Sequence, residues 1–182
     1  DLDGHHYADF VGEYSAGLFG HSDETIKAAI HEALEVGTCM GAPTSYERVL
    51  AGLLCMRFAS LEKVRFCNSG TEANLMAIAT AVAHTGRKKI LVFNGSYHGG
   101  VINFPNGGSI LNAPYDFVLA DYNDVKGTAE LIREFKDELA AVLVEPILGA
   151  GGNIPASYAF LKMLRRETRK AGILLIFDEV KT

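Results

Sequence analysis

Phe66-Cys67-Asn68-Ser69-Gly70-Thr71-Glu72-Ala73-Asn74 is the stretch on which the reading of this chain turns. An apolar run over residues 64–67 meets an alanine-rich run from about residue 71 to residue 84 through a turn of small, hydroxyl-bearing residues. The pattern predicts a strand followed by a helix. A helix that starts in such a turn leaves its first backbone N–H groups without intrahelical partners and points the positive end of its dipole outward. That arrangement binds anions, and Ser69 and Thr71 add hydroxyl donors. Gly70 has no Cβ, so a phosphate can come close to its backbone. The same turn also suits plain helix capping by Ser69. On this stretch both readings stand.

Outward from the turn, the chain alternates. Residues 7–10 read as a small hairpin. Ser22 is placed to cap a helix that carries Asp23 and Glu24 in its first turn and ends at Gly37, and a second helix spans residues 45–58. Then come strand 63–67, helix 71–84, strand 90–93, an irregular stretch over 94–114, strand 116–119, helix 124–135, strand 139–144, helix 157–171 and strand 173–178. Apolar strands alternating with helices predict an α/β fold with a mostly parallel sheet covered on both faces.

Composition excludes several classes. The 182 residues are 48% hydrophobic and 21% charged, with a net charge of −5. No block of five like charges occurs, so nucleic acid and anionic membrane are not expected partners. The apolar runs 139–144 and 173–177 are too short to span a bilayer and suit buried strands. Cys39, Cys55 and Cys67 stand in no metal or redox spacing and fit reduced, space-filling thiols of a cytoplasmic protein. Gly149-Ala150-Gly151-Gly152-Asn153-Ile154 invites a dinucleotide reading, but Ile154 holds its sixth position and Pro146 disrupts the required strand-to-helix turn. No Walker A pattern is present.

The last motif, Phe177-Asp178-Glu179-Val180, ends a strand. Strand alternation predicts Asp178 and Val180 on one face, with Glu179 and Lys181 on the other. Ligands of open α/β sheets bind outside the carboxyl ends of their strands. An aspartate there can hold a protonated ring nitrogen as an ion pair. A helix cap or a magnesium ligand are its other readings.

Asn68-Ser69-Gly70-Thr71-Glu72-Ala73, Gly95-Ser96-Tyr97-His98-Gly99, Val144-Glu145-Pro146 and Phe177-Asp178-Glu179-Val180, in this order, resemble the class III (omega-type) aminotransferases. The resemblance begins at Asp1-Leu2-Asp3-Gly4-His5 and covers essentially the whole chain. Gly41-Ala42-Pro43-Thr44 and Glu62-Lys63-Val64-Arg65-Phe66 are similar to the glutamate-1-semialdehyde aminomutase branch. Tyr97-His98-Gly99-Gly100-Val101 and Tyr122-Asn123-Asp124 look closer to aminotransferases acting on β-amino acids such as β-phenylalanine.

The resemblance implies the aspartate-aminotransferase fold (fold type I), with residues 1–45 as an N-terminal segment and 46–182 as part of the large domain. It implies pyridoxal 5'-phosphate as cofactor, a small-molecule amino donor and keto acceptor, and a homodimer. Ser69, Gly70 and Thr71 would bind the phosphate. Tyr97 would stack on the ring, with His98 beside it and Val180 on the opposite face. Glu145 would approach the cofactor's phenolic oxygen or organise polar groups there, and Asp178 would be the catalytic partner of the ring nitrogen. In the aminomutase the region matching 94–114 is a gating loop; the version here is shorter and lacks much of that pattern, which leaves the intramolecular amino exchange of the aminomutase as the alternative to transamination rather than the first reading. The lysine that bonds the cofactor is expected outside these residues, because Lys181 falls on the face away from Asp178. The chain is accordingly expected to be incomplete and inactive alone.

Overall fold

The computed structural model describes all 182 residues, Asp1–Thr182, as two compact units, Asp1–Phe66 and Cys67–Thr182. The first unit holds two helices. Asp23, whose carboxylate accepts the Ile26 N–H at 3.0 Å, caps α1 (Glu24–Val36), one residue later than Ser22. Thr44 and Glu47 form a reciprocal capping box at the start of α2 (Ser45–Arg57). No residue of α1 or α2 is buried. The hairpin expected over 7–10 is absent. The Asp9 carboxylate instead accepts the N–H groups of Val11 and Gly12, and a 3₁₀ turn follows at Gly12–Ser15. The run over 63–67 forms no strand, because an apolar segment becomes a strand only where a neighbour takes up its backbone N–H and C=O groups.

The second unit is the α/β layer structure. Its elements are α3 (Gly70–Thr85), β1 (Lys89–Phe93), β2 (Asp116–Ala120), α4 (Val125–Glu134), β3 (Leu139–Val144), β4 (Ile147–Leu148), β5 (Ile154–Pro155), α5 (Tyr158–Ala171) and β6 (Leu174–Phe177). The main sheet runs β2-β1-β3-β6, and every pairing in it is parallel. The rejected dinucleotide stretch, residues 149–154, lies within the antiparallel β4–β5 hairpin.

Each helix starts at a side-chain cap. Ser69 opens α3, Asp124 opens α4 and Ser157 opens α5, each accepting a backbone N–H of the first turn. Gly86 and Gly172 end α3 and α5 in the left-handed conformation, with φ of 69° and 63°. Alternation along the strands splits the core in two. Leu91, Phe93, Val142 and Val144 meet Ile132 of α4 and Phe160 and Leu164 of α5. Ile90, Val92, Ala141 and Leu143 meet Ile78 and Ala81 of α3, together with Ile102 and Phe104 from the long connection. β3 is buried along its entire length, as expected of a central strand covered on both faces.

The connection between β1 and β2 is anchored to the core over its first half. It drives Ile102 and Phe104 into the core and closes on itself through a bridge between Tyr97 and Asn103. From β1 the chain moves to β2 on one side, whereas from β3 it moves to β6 on the other. The switch in direction falls between β1 and β3, where such sheets open a crevice at their carboxyl ends.

Candidate active site

Three strand ends and one helix start converge there. The chain leaves β1 into Ser96–Gly100, β3 into Glu145 and β6 into Asp178, while α3 begins at Gly70. Ser69 takes up the capping role, its hydroxyl oxygen accepting the Glu72 N–H at 3.2 Å. Glu72 reaches back to accept the Asn68 N–H at 2.7 Å. The Ala73 N–H reaches the Ser69 carbonyl, while the Gly70 and Thr71 N–H groups donate to no group of the chain. The positive end of a sixteen-residue helix thus keeps two free donors.

The turn that follows β1 packs directly on this helix start. Thr71 Oγ1 accepts the Gly100 N–H at 3.2 Å. At Gly99, φ is 121° and a Cβ would lie 2.6 Å from the Thr71 Cα, so only glycine allows this approach. At Gly70 a Cβ would lie 2.8 Å from Cγ2 of Val180, so Val180 rests against the first residue of the helix.

Asp178 is the electrostatic centre of the site. Its residue is 8% exposed. Oδ2 sits 2.7 Å from Nδ1 of His98 and accepts from Asn74 Nδ2 at 2.8 Å, while Oδ1 accepts the Val180 N–H at 3.1 Å. Burial pushes the Asp178 carboxyl up, but the His98 hydrogen bond and charge, the Val180 N–H and Asn74 together outweigh it. The net effect holds the carboxyl below the ordinary 3.8. His98 is wholly buried, and its Nε2 has no hydrogen-bond partner within the chain.

The expected strand over 173–178 stops at Phe177, and this corrects the face argument. The Asp178 N–H still reaches the Val144 carbonyl at 2.9 Å, but its side chain then captures the Val180 N–H and turns the backbone out of the sheet. Alternation therefore does not govern residues 179–181. Val180 reaches the α3 start through this turn and is 67% exposed. Lys181 lies against Gly149, where a Cβ would meet its Cδ at 2.5 Å and its Nζ at 3.2 Å.

Glu145 joins two turns. Oε2 accepts the Tyr97 N–H at 3.1 Å and Oε1 accepts the Gly149 N–H at 3.0 Å. Its carbonyl accepts the Tyr122 hydroxyl at 2.8 Å. Burial, with the Glu145 charge behind it, pushes the Tyr122 phenol up to about 12, so it stays a neutral donor. Glu145 thus sets the backbone that carries Tyr97, whose own side chain is half exposed.

The structure brings Ser69, Gly70, Thr71, Tyr97, His98, Asp178 and Val180 around one helix start, with Glu145 bracing the Tyr97 turn from behind. It adds Asn74, which the sequence reading passed over. Asn74 is buried, and its amide donates both to Asp178 and to the His98 carbonyl at 3.1 Å. The available signal was an amide one helical turn beyond Thr71, on an otherwise alanine-rich and apolar helix.

With this geometry in place, comparison with known proteins is decisive. The family model described as "Aminotransferase class-III" matches residues 1–182. The chain is 48% identical over its full length to a β-phenylalanine transaminase of Variovorax paradoxus, of which it covers 42%. The solved structure of a β-phenylalanine aminotransferase from that organism superposes with a TM-score of 0.97, again over 100% of this chain and 42% of that one. A glutamate-1-semialdehyde 2,1-aminomutase of Thermodesulfovibrio yellowstonii is 39% identical over the full chain and 46% of its own length. A structure described as a transaminase with PLP bound is 34% identical at a TM-score of 0.88, over 99% of this chain and 46% of that one. The chain thus spans less than half the length of these relatives. Matched from end to end by the family model, it belongs to the class-III aminotransferases.

Proposed function

We propose that the whole protein is a pyridoxal-phosphate-dependent aminotransferase that moves an amino group between an amino acid or amine and a keto acid or aldehyde. The observation that carries this reading is an ionised Asp178, held by His98 and Asn74, beside a helix start with two free N–H donors. The donor set fits the cofactor at both ends. The Gly70 and Thr71 N–H groups and the Ser69 and Thr71 hydroxyls suit a phosphate. The carboxylate of Asp178 suits a protonated ring nitrogen, and Tyr97 and Val180 suit the two faces of a flat ring. When bound, the cofactor supplies an electron sink for negative charge at the carbon bearing the amino group. This chain's part is to hold the phosphate, keep the ring nitrogen protonated and fix the ring.

The 48% identity to a β-phenylalanine transaminase supports a β-amino acid as donor. We read the whole protein as a homodimer acting in the cytoplasm. The large side chains that α1 and α2 leave exposed, Ile26, Ile30, Leu34, Leu50 and Leu53 among them, support a further apolar interface.

Asp178→Asn tests the reading, because it keeps the shape and removes the charge. The expected result is cofactor retained and turnover lower by orders of magnitude, on the order of 10²-fold or more. Near-normal transamination by the variant, measured as product formed from β-phenylalanine and a keto acid, would end the assignment.

A further inference from the structure

Asn74 has chemistry that helix propensity does not explain. Asparagine is a mediocre helix former, and a buried amide costs free energy unless its donors are satisfied. Its two amide hydrogens go to two acceptors far apart in sequence, the Asp178 carboxylate at 2.8 Å and the His98 carbonyl at 3.1 Å. Both partners only accept, which fixes the amide with its NH₂ toward them. One side chain on α3 thereby ties the turn after β1 to the turn after β6.

The hydrogen bonds at Asp178 divide unevenly. Each oxygen of an ionised carboxylate can accept about two hydrogen bonds. Oδ2 receives His98 Nδ1 and Asn74 Nδ2, which fill it, whereas Oδ1 receives the Val180 N–H alone. We propose that Asn74 is a positioning residue that saturates Oδ2, together with His98, so that Oδ1 is the oxygen left to accept a cationic ring N–H. The same amide holds the His98 backbone, and with it the adjacent Tyr97, in register with that oxygen.

This inference rests on the functional reading above, and the test separates the two. Asn74→Leu keeps the approximate size and removes both donors; Asn74→Ala removes them without added bulk, should the leucine fail to fold. The measurements in the whole protein are the Asp178 carboxyl pKa by NMR without cofactor, the equilibrium dissociation constant for pyridoxal phosphate, and the pH dependence of the bound cofactor's absorbance. Expected are a rise in the Asp178 pKa, a cofactor affinity weaker by about tenfold, the scale of one hydrogen bond to a charged group, and a shifted absorbance titration. A variant that lowers thermal stability but leaves the Asp178 pKa, the affinity and the absorbance titration unmoved overturns the inference alone. Wild-type protein that binds no pyridoxal phosphate stoichiometrically overturns the functional reading, and the inference with it.

Discussion

Asp178 concentrates most of the site's physics in one side chain. Its folded pKa lies below the ordinary 3.8, so on acidification the unfolded chain takes up this proton first. The stability that Asp178 contributes is therefore whole above about pH 4 and lost as the pH falls through its folded value. Urea midpoints followed from about pH 6 down to about pH 3 should fall less steeply for Asp178→Asn than for the wild type. Parallel slopes would mean that the contacts to His98 and Asn74 do not hold the charged form. The motif that contains Asp178 was legible in sequence, as was its place at a strand end. Its partners were not: His98 and Asn74 lie 80 and 104 residues away along the chain, and only the fold brings them to 2.7 and 2.8 Å.

At the scale of elements, the start of α3 carries the site because two turns close on it, the one after β1 and the one after β6. Ser69 contributes a cap, and Ser69→Ala should cost about 0.5–2 kcal/mol of stability. Gly70 has a second duty that its sequence did not disclose, since a side chain there would meet Val180 at 2.8 Å. Gly70→Val should weaken pyridoxal phosphate binding by at least about tenfold, the scale of a charge-assisted contact, and far more than Ser69→Ala does. Pairing it with Val180→Ala separates the causes. Affinity restored in the double variant would locate the defect in Val180, whereas affinity still lost would locate it in the approach of the anion to the backbone. Equal, small losses from Ser69→Ala and Gly70→Val would reduce the turn to a cap. The helices α3, α4 and α5 were legible to within a residue or so because caps and apolar spacing are local signals. The strand over 63–67 and the hairpin over 7–10 were not, because a strand is defined by a partner that the local sequence does not name.

For the molecule as a whole, the family's covalent chemistry needs a lysine, and the geometry of this chain offers none at Asp178. Lys63, Lys88 and Lys126 are exposed, and Lys89 is tied to Asp116 at 2.8 Å and Glu138 at 3.4 Å. Lys181 lies along Gly149, beyond the turn that Asp178 starts. Borohydride reduction of the chain with pyridoxal phosphate, followed by peptide mapping, should give no single stoichiometric pyridoxyl-lysine within residues 1–182. One such peptide would show that the chain completes its own site. The sequence by itself determined the family, the α/β class and the four motifs, because turn chemistry, caps and hydrophobic period are written in consecutive residues. Tertiary structure alone decided that Ile102 and Phe104 of the 94–114 connection pack into the core and that Glu145 braces the Tyr97 turn. It also decided that Asn74 joins the site, because each of these depends on contacts between segments tens of residues apart, whereas Asp178 leaves its strand through a bond to the Val180 N–H that is local in sequence.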